Sequence, residues 1–152
     1  MAYATLLFIH SWNRWIVLGL MIGLLVTAFR GWGGQIELGS LAKLSIFTIV
    51  AIDLQFLLGV LLYFLSPYVQ SFMGDPGGSM ANSVVRFWGV EHALGMLVAV
   101  ILAHVGRMAI KKADSPKKAH RRAAIYFGIA LLLMLGTIPW PAMPYGRALF
   151  RI

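Results

Sequence analysis

Along the chain, long apolar stretches alternate with short polar ones, and four of the apolar stretches run from about 3 to 29, 41 to 66, 83 to 110 and 119 to 138. Each is near the roughly 20 residues that a helix needs to cross a bilayer, with length to spare for tilt. The breaks between them carry their own signals. GWGGQIELGS is a short glycine-rich turn, SPYVQSFMGDPGGSMANS a longer loop with Pro67 and Pro76, and KKADSPKKAHRR a compact basic connection. The tail IPWPAMPYGRALFRI has three prolines within six residues, so the fourth helix is expected to stop near Ile138 and the remainder to lie along the membrane interface. The pattern predicts an all-α membrane protein: one domain over 1–152, a four-helix up-and-down bundle with short links.

Composition agrees with the pattern and narrows the chemistry. Of 152 residues, 60% are hydrophobic and 12% charged, which leaves no room for a separate soluble domain. The absence of cysteine excludes disulfides, thiolate metal sites, iron–sulfur clusters and covalently attached haem, so any metal must be held by His, Met or carboxylates. The net charge of +8 does not imply nucleic acid, because the basic residues adjoin apolar segments, where topology and anionic lipid account for them. The N-terminal MAYATLLFIHSWNRW has no basic start and no small-residue cleavage site, and the first helix is expected to stay in the mature chain.

Basic residues set an expected orientation. Arg107, Lys111, Lys112, Lys117, Lys118, Arg121 and Arg122 flank the third connection, and Arg30 and Lys43 the first, on the same side. That side is expected to be cytoplasmic, which puts both termini and the long loop outside; Arg147 and Arg151 count mildly against this. Trp12, Trp15, Trp88, Trp140, Tyr3, Tyr68 and Tyr145 gather at the outer ends of the helices, as an aromatic belt does.

Several ionisable groups interrupt the apolar runs, and each is a candidate site because insertion of such a group costs several kcal/mol. His10, on the first helix, is expected about 10 Å inside the outer face, and His92, on the third, at a comparable depth. Two histidines at one level on different helices suit an iron porphyrin, one imidazole to each face. Gly89 and Gly95 flank His92 three residues away, and Gly59 and Gly136 are expected near the same plane; this set would make room for the ring, or serves only as helix packing. Arg86 at the outer mouth and Arg14, one turn below His10, are the candidate partners for haem propionates, with interfacial anchoring as the plain alternative for Arg86.

Asp53 stands near the middle of the second helix with no charge beside it in sequence, and Arg14 is its expected partner. With Gln55 it would otherwise line a proton or quinone site. Glu91 points about 100° from His92, toward a backbone group, a proton path or another subunit. His104, about 18 Å below His92, could join His120 at a second, inner haem, although twelve residues turn it about 120° away from a stacked arrangement. Met21, Met96, Met108 and Met134 are read as core filling.

The stretches IHSWNRW, DLQFLLGVLLYFLSP, VEHALGMLVAV, KKAHRRAAIYFGIALLLML and IPWP together resemble, in order and over most of the chain, the small four-helix bacterial membrane proteins known as cytochrome b or cytochrome-b-like. The resemblance implies a b-type haem protein of the bacterial inner membrane engaged in electron transfer, with His10 and His92 as the matching histidines. Asp53 stands where that pattern leads one to expect a histidine, and His104 has no counterpart in it. Quinone or quinol in the bilayer, and a periplasmic cytochrome or larger complex, are the expected partners, with homodimerisation open and quinol-linked oxidoreductase activity undecided. Two rivals stay in view: a non-redox structural subunit of a respiratory or photosynthetic complex, and a small proton or solute transporter that uses Asp53, Glu91 and the histidines as a relay.

Overall fold

The computed structural model describes residues 2–34 and 37–150; Arg151, weighed above in the orientation, lies outside them. Among the described residues the chain is helical without strands, and four helical spans are long and apolar enough to cross a membrane. They comprise α1 (Ala2–Trp32), α2 (Leu38–Leu65), a third span over Ser83–Lys111, and a fourth, α7 (Pro116–Thr137). The expected spans match these to within a few residues.

Two short helices, α3 (Pro67–Gly74) and α4 (Pro76–Ser79), occupy the loop after α2. Each begins on one of the prolines that read as breaks, because a proline in the first helical turn gives up an N–H that would have no partner there. Asp75 caps α4 by accepting from the Gly78 N–H at 3.0 Å. Asn82 opens the third span by accepting from the N–H groups of Val84 and Val85, and Ser115 caps α7 by accepting from Lys118.

The spans are apolar over most of their surface, and their inward faces mix alanine with bulkier side chains. Val17, Met21, Leu24 and Ala28 of α1 follow helical spacing into the core, as do Ala119, Ala123, Phe127, Ala130 and Met134 of α7. Ser45 and Thr48 of α2 are buried too, and each returns its hydroxyl to a carbonyl of its own helix at 2.8 Å, which satisfies the donor without water. Outward positions carry bulky aliphatic groups; Leu132 is 70% exposed, a loss in water and none in lipid.

The third span is built of α5 (Ser83–Arg86), a π-helical turn (Phe87–Glu91) and α6 (His92–Lys111). α1 packs against α2 and α7, and α6 packs against the same two, so α1 and α6 stand across the bundle from one another. That diagonal carries His10 at one end and His92 at the other.

After Thr137 the chain folds back over the end of the bundle where α1 begins and the third span starts. The Arg147 N–H donates to the Pro139 carbonyl at 3.0 Å and closes this segment on itself. A Cβ on Gly146 would collide with the Trp140 carbonyl, so the closure requires glycine there. The segment is more than an interfacial tail. Tyr145 stacks on Phe87 with centroids 3.6 Å apart, and the Leu149 carbonyl accepts from Arg14 at 2.6 Å and from the Trp15 indole at 3.2 Å.

Candidate functional site: two histidines facing across the bundle

His92 is aimed by three local features. The π turn ends immediately before it, and its own N–H reaches back five residues to the Phe87 carbonyl. A π turn holds one residue more than an α turn, so it rotates everything after it relative to everything before it, and such turns recur at functional sites. The turn is fastened from α2, where the Tyr63 hydroxyl donates to the Gly89 carbonyl at 2.8 Å.

The second feature is a carbonyl with no helical partner. α7 ends at Thr137, and the residue four further on, which would ordinarily donate to the Thr137 carbonyl, is Pro141 with no N–H. His92 Nδ1–H takes that carbonyl at 2.8 Å. A carbonyl can only accept, so the proton is on Nδ1 and the Nε2 lone pair has no partner among the described residues, the pattern by which proteins orient ligating imidazoles. The third is Gly95, where a Cβ would run into the Thr137 side chain; glycine lets α6 come close enough to α7 for the bond to form.

His10 is held from α2. Gln55 Nε2 donates both to His10 Nε2 and to the His10 carbonyl, each at 3.1 Å, and the Gln55 oxygen accepts from Asn13 at 2.9 Å. Asn13 also donates to the Ala51 carbonyl at 3.1 Å. The network fixes which way the Gln55 amide points, since the His10 carbonyl needs its nitrogen. His10 therefore accepts at Nε2, and its Nδ1 is buried with no partner. A buried ring nitrogen left unpaired is costly and calls for an explanation. His10, His92 and Arg14 lie near enough to feel one another's charge.

The glycines divide sharply. Only Gly59 abuts a candidate ligand: a Cβ there would sit 3.3 Å from His10 Cε1. Gly89 faces Phe72 of α3, and Gly95 faces Thr137, so their space is already filled by protein. Gly136 is exposed, with nothing within 4 Å of a Cβ. Of the four glycines expected near one plane, Gly59 lies against His10 and the other three do not, because helical phase matters as much as depth.

The charged groups also differ from expectation. Asp53 does not pair with Arg14; its Oδ1 accepts from His104 Nε2 at 2.8 Å across the α2–α6 seam, while Arg14 turns to Leu149 and lies 5.0 Å over the Trp15 ring. Glu91 pairs with Arg86 at 2.7 Å, and Arg86 also donates to the Met80 carbonyl at 2.9 Å. The π turn explains that pair, since five residues of π-helix bring groups together that an α-helix would splay. Arg86 thus gives Nε to a carboxylate and Nη1 to a backbone carbonyl, so Glu91 already meets part of its charge. Sequence reasoning missed Arg147, which lies 5.2 Å over Trp88 and 5.4 Å over Tyr68.

The structure does not bring His104 and His120 together as an inner pair. His104 is taken by Asp53, whereas His120 is fully buried against α1, its Nδ1–H donating to the Pro116 carbonyl at 2.8 Å and its ring filling the space that a Gly31 side chain would need. Gln55 is likewise not beside Asp53 in function: it belongs to the His10 network.

Among the described residues no three side chains of His, Asp and Glu converge to hold a bare metal ion. Compared with protein-family models, curated proteins and solved structures, the chain matches none.

Proposed function

We propose that this chain is a multi-pass b-type cytochrome of the bacterial inner membrane, carrying electrons through non-covalent haem held by His10 and His92. One observation carries the reading. Each of two imidazoles on opposed helices is anchored through one ring nitrogen, to Gln55 or to Thr137, and the other, the buried His10 Nδ1 or His92 Nε2, makes no hydrogen bond among the described residues.

His10 and His92 are the residues that would hold the haem iron, and the group would supply one-electron redox chemistry when bound. As the network stands the ring proton of His10 is on Nδ1, so for His10 to hold iron there the proton would have to move to Nε2 and the Gln55 amide to turn about, giving up its bonds to the His10 carbonyl and from Asn13. Arg14 supplies positive charge beside both rings. With the basic third connection inside and both termini outside, the histidines lie in the outer half, within reach of a periplasmic cytochrome or complex; quinol in the bilayer is the matching donor.

The test is the reduced-minus-oxidised spectrum of protein purified after haem-supplemented expression. A b-type spectrum with about one haem per chain is expected, lost in His10→Ala and in His92→Ala and kept in His104→Gln. Colourless wild-type protein, or full pigment in both alanine variants, would sink the reading.

A further inference from the structure

The segment after α7 rests on the surroundings of both histidines. At the third span, Tyr145 stacks on Phe87 and Arg147 lies over Trp88, and these two rings stand 5.8 and 5.4 Å from the His92 ring. At α1, the Leu149 carbonyl accepts from Arg14 and Trp15, while Phe150 stacks on Trp15 at 5.2 Å and meets Trp12 at 5.9 Å. Trp12 and Arg14 follow His10 by two and four residues on the same helix. Because α1 and α6 stand across the bundle from one another, the segment runs over the same diagonal that His10 and His92 occupy.

The build of the segment is that of a movable piece. The Met143 N–H donates to the Trp140 carbonyl at 3.0 Å and the Gly146 N–H to the Met143 carbonyl at 2.8 Å, so the loop holds its shape by its own backbone. Ile138 and Pro139 are buried, but no residue from Trp140 to Phe150 is. A piece with internal backbone bonds and no buried side chain lifts from its support at a free energy far below that of global unfolding. Trp140 stays with α7, since its indole donates to the Leu135 carbonyl at 2.8 Å. We infer that residues 141–150 form a lid over the route from the α1 end of the bundle to His10 and His92, hinged at Trp140 and latched on α1 by the Leu149 carbonyl. Thr137, whose carbonyl holds His92, lies before the hinge, so opening leaves that bond in place. As control of entry to a haem site, the lid rests on the function proposed above.

The chain has no cysteine, so full-length His10→Cys carries one thiol at the site. In lipid nanodiscs, where both faces meet water, a small sulfonate-bearing thiosulfonate is expected to label it about tenfold more slowly than Met143→Cys on the lid itself. Adding Arg147→Ala with Phe150→Ala, which removes two of the lid's contacts, is expected to raise the rate at His10→Cys about tenfold with helical circular dichroism unchanged. In the unaltered chain, the Trp15 indole N–H of the latch is expected to exchange with solvent faster than the Trp140 indole N–H of the hinge, followed by NMR. Where a variant loses its helical signal, these two indoles decide. The inference is overturned if His10→Cys labels as fast as Met143→Cys, if the added pair leaves the rate unmoved, or if the Trp15 indole exchanges no faster than that of Trp140. None of these readings needs haem, so colourless protein whose labelling follows the lid supports the lid and counts against the haem alone.

Discussion

At the scale of single residues, what distinguishes the inward histidines is how each is braced. Gln55 governs His10, and a carboxylate in its place would accept firmly from Nε2–H and make the ring a stronger donor through Nδ1. In the haem reading, Gln55→Glu is therefore expected to lower the midpoint potential, measured by spectroelectrochemistry, with the pigment retained. Gly59→Ala tests the approach of α2 to the same ring. Its Cβ would be tight against His10, so partial loss of haem with unchanged helicity is the expected result. The inner end offers an independent check of packing. A methyl at Gly31 collides with the buried His120 ring, and Gly31→Ala is expected to cost about 1–3 kcal/mol in denaturant unfolding, as overpacking does. Gly31→Ala combined with His120→Ala is expected to recover part of that loss, because two residues in contact are not additive.

At the scale of elements, the end of α7 and the π turn are both departures from regular helix, and His92 depends on each. Pro141 withholds the N–H that would otherwise compete with His92 for the Thr137 carbonyl. Pro139→Ala combined with Pro141→Ala is expected to let α7 continue past Thr137 and to release His92 from its bond, since Pro139 holds Ile138 extended and Pro141 offers no N–H. The measurement is the ring-nitrogen signals of His92 by NMR, which are expected to show loss of a fixed Nδ1–H tautomer; unchanged signals would break the link between the two. These elements also show where the sequence was legible. The four spans could be read because twenty-odd apolar residues bounded by Gly, Pro and basic clusters have few other solutions in a bilayer. His10 and His92 stood out because they interrupt apolar runs, and their partners Gln55 and Thr137 did not. Phase was not legible: a π turn between Arg86 and His92 shifts the rotation of one part of a helix relative to the other and leaves no mark in the hydrophobic pattern, since these spans are apolar over most of their surface. For that reason the Arg86–Glu91 pair went unseen, while Gly89, Gly95 and Gly136 face Phe72, Thr137 and open space, and Asp53 meets His104, because counting depth along a helix does not say which neighbour each face meets. The one written clue was the proline four residues after Thr137.

At the scale of the whole molecule, basic residues concentrate beyond one end of the bundle and aromatic groups at the other. A phosphatase joined to the C-terminus is expected to be active outside the cytoplasm, and one joined after Asp114 inactive; the reverse pattern would invert the proposed orientation. At that basic end, Asp114 is held below the usual carboxylate range by its hydrogen bond from Lys118 at 2.7 Å. The sign follows: a carboxyl whose folded pKa lies below its unfolded value stabilises above that unfolded value, and the contribution disappears as pH falls through the folded one. Both groups are exposed, so salt screens the pair and Asp114→Asn is expected to leave the unfolding temperature unchanged.

The π turn has a historical reading as well as a mechanical one. Five residues where four would do is the trace expected when one codon is inserted into a helix whose downstream packing cannot move. Here His92, Gly95 and Thr137 fix the downstream side, so an inserted residue could only be absorbed upstream, toward the loop. A homologue with one residue fewer between the positions of Asn82 and His92 is therefore expected to have a straight third span, no equivalent of the Arg86–Glu91 pair, and the same histidine facing the same way.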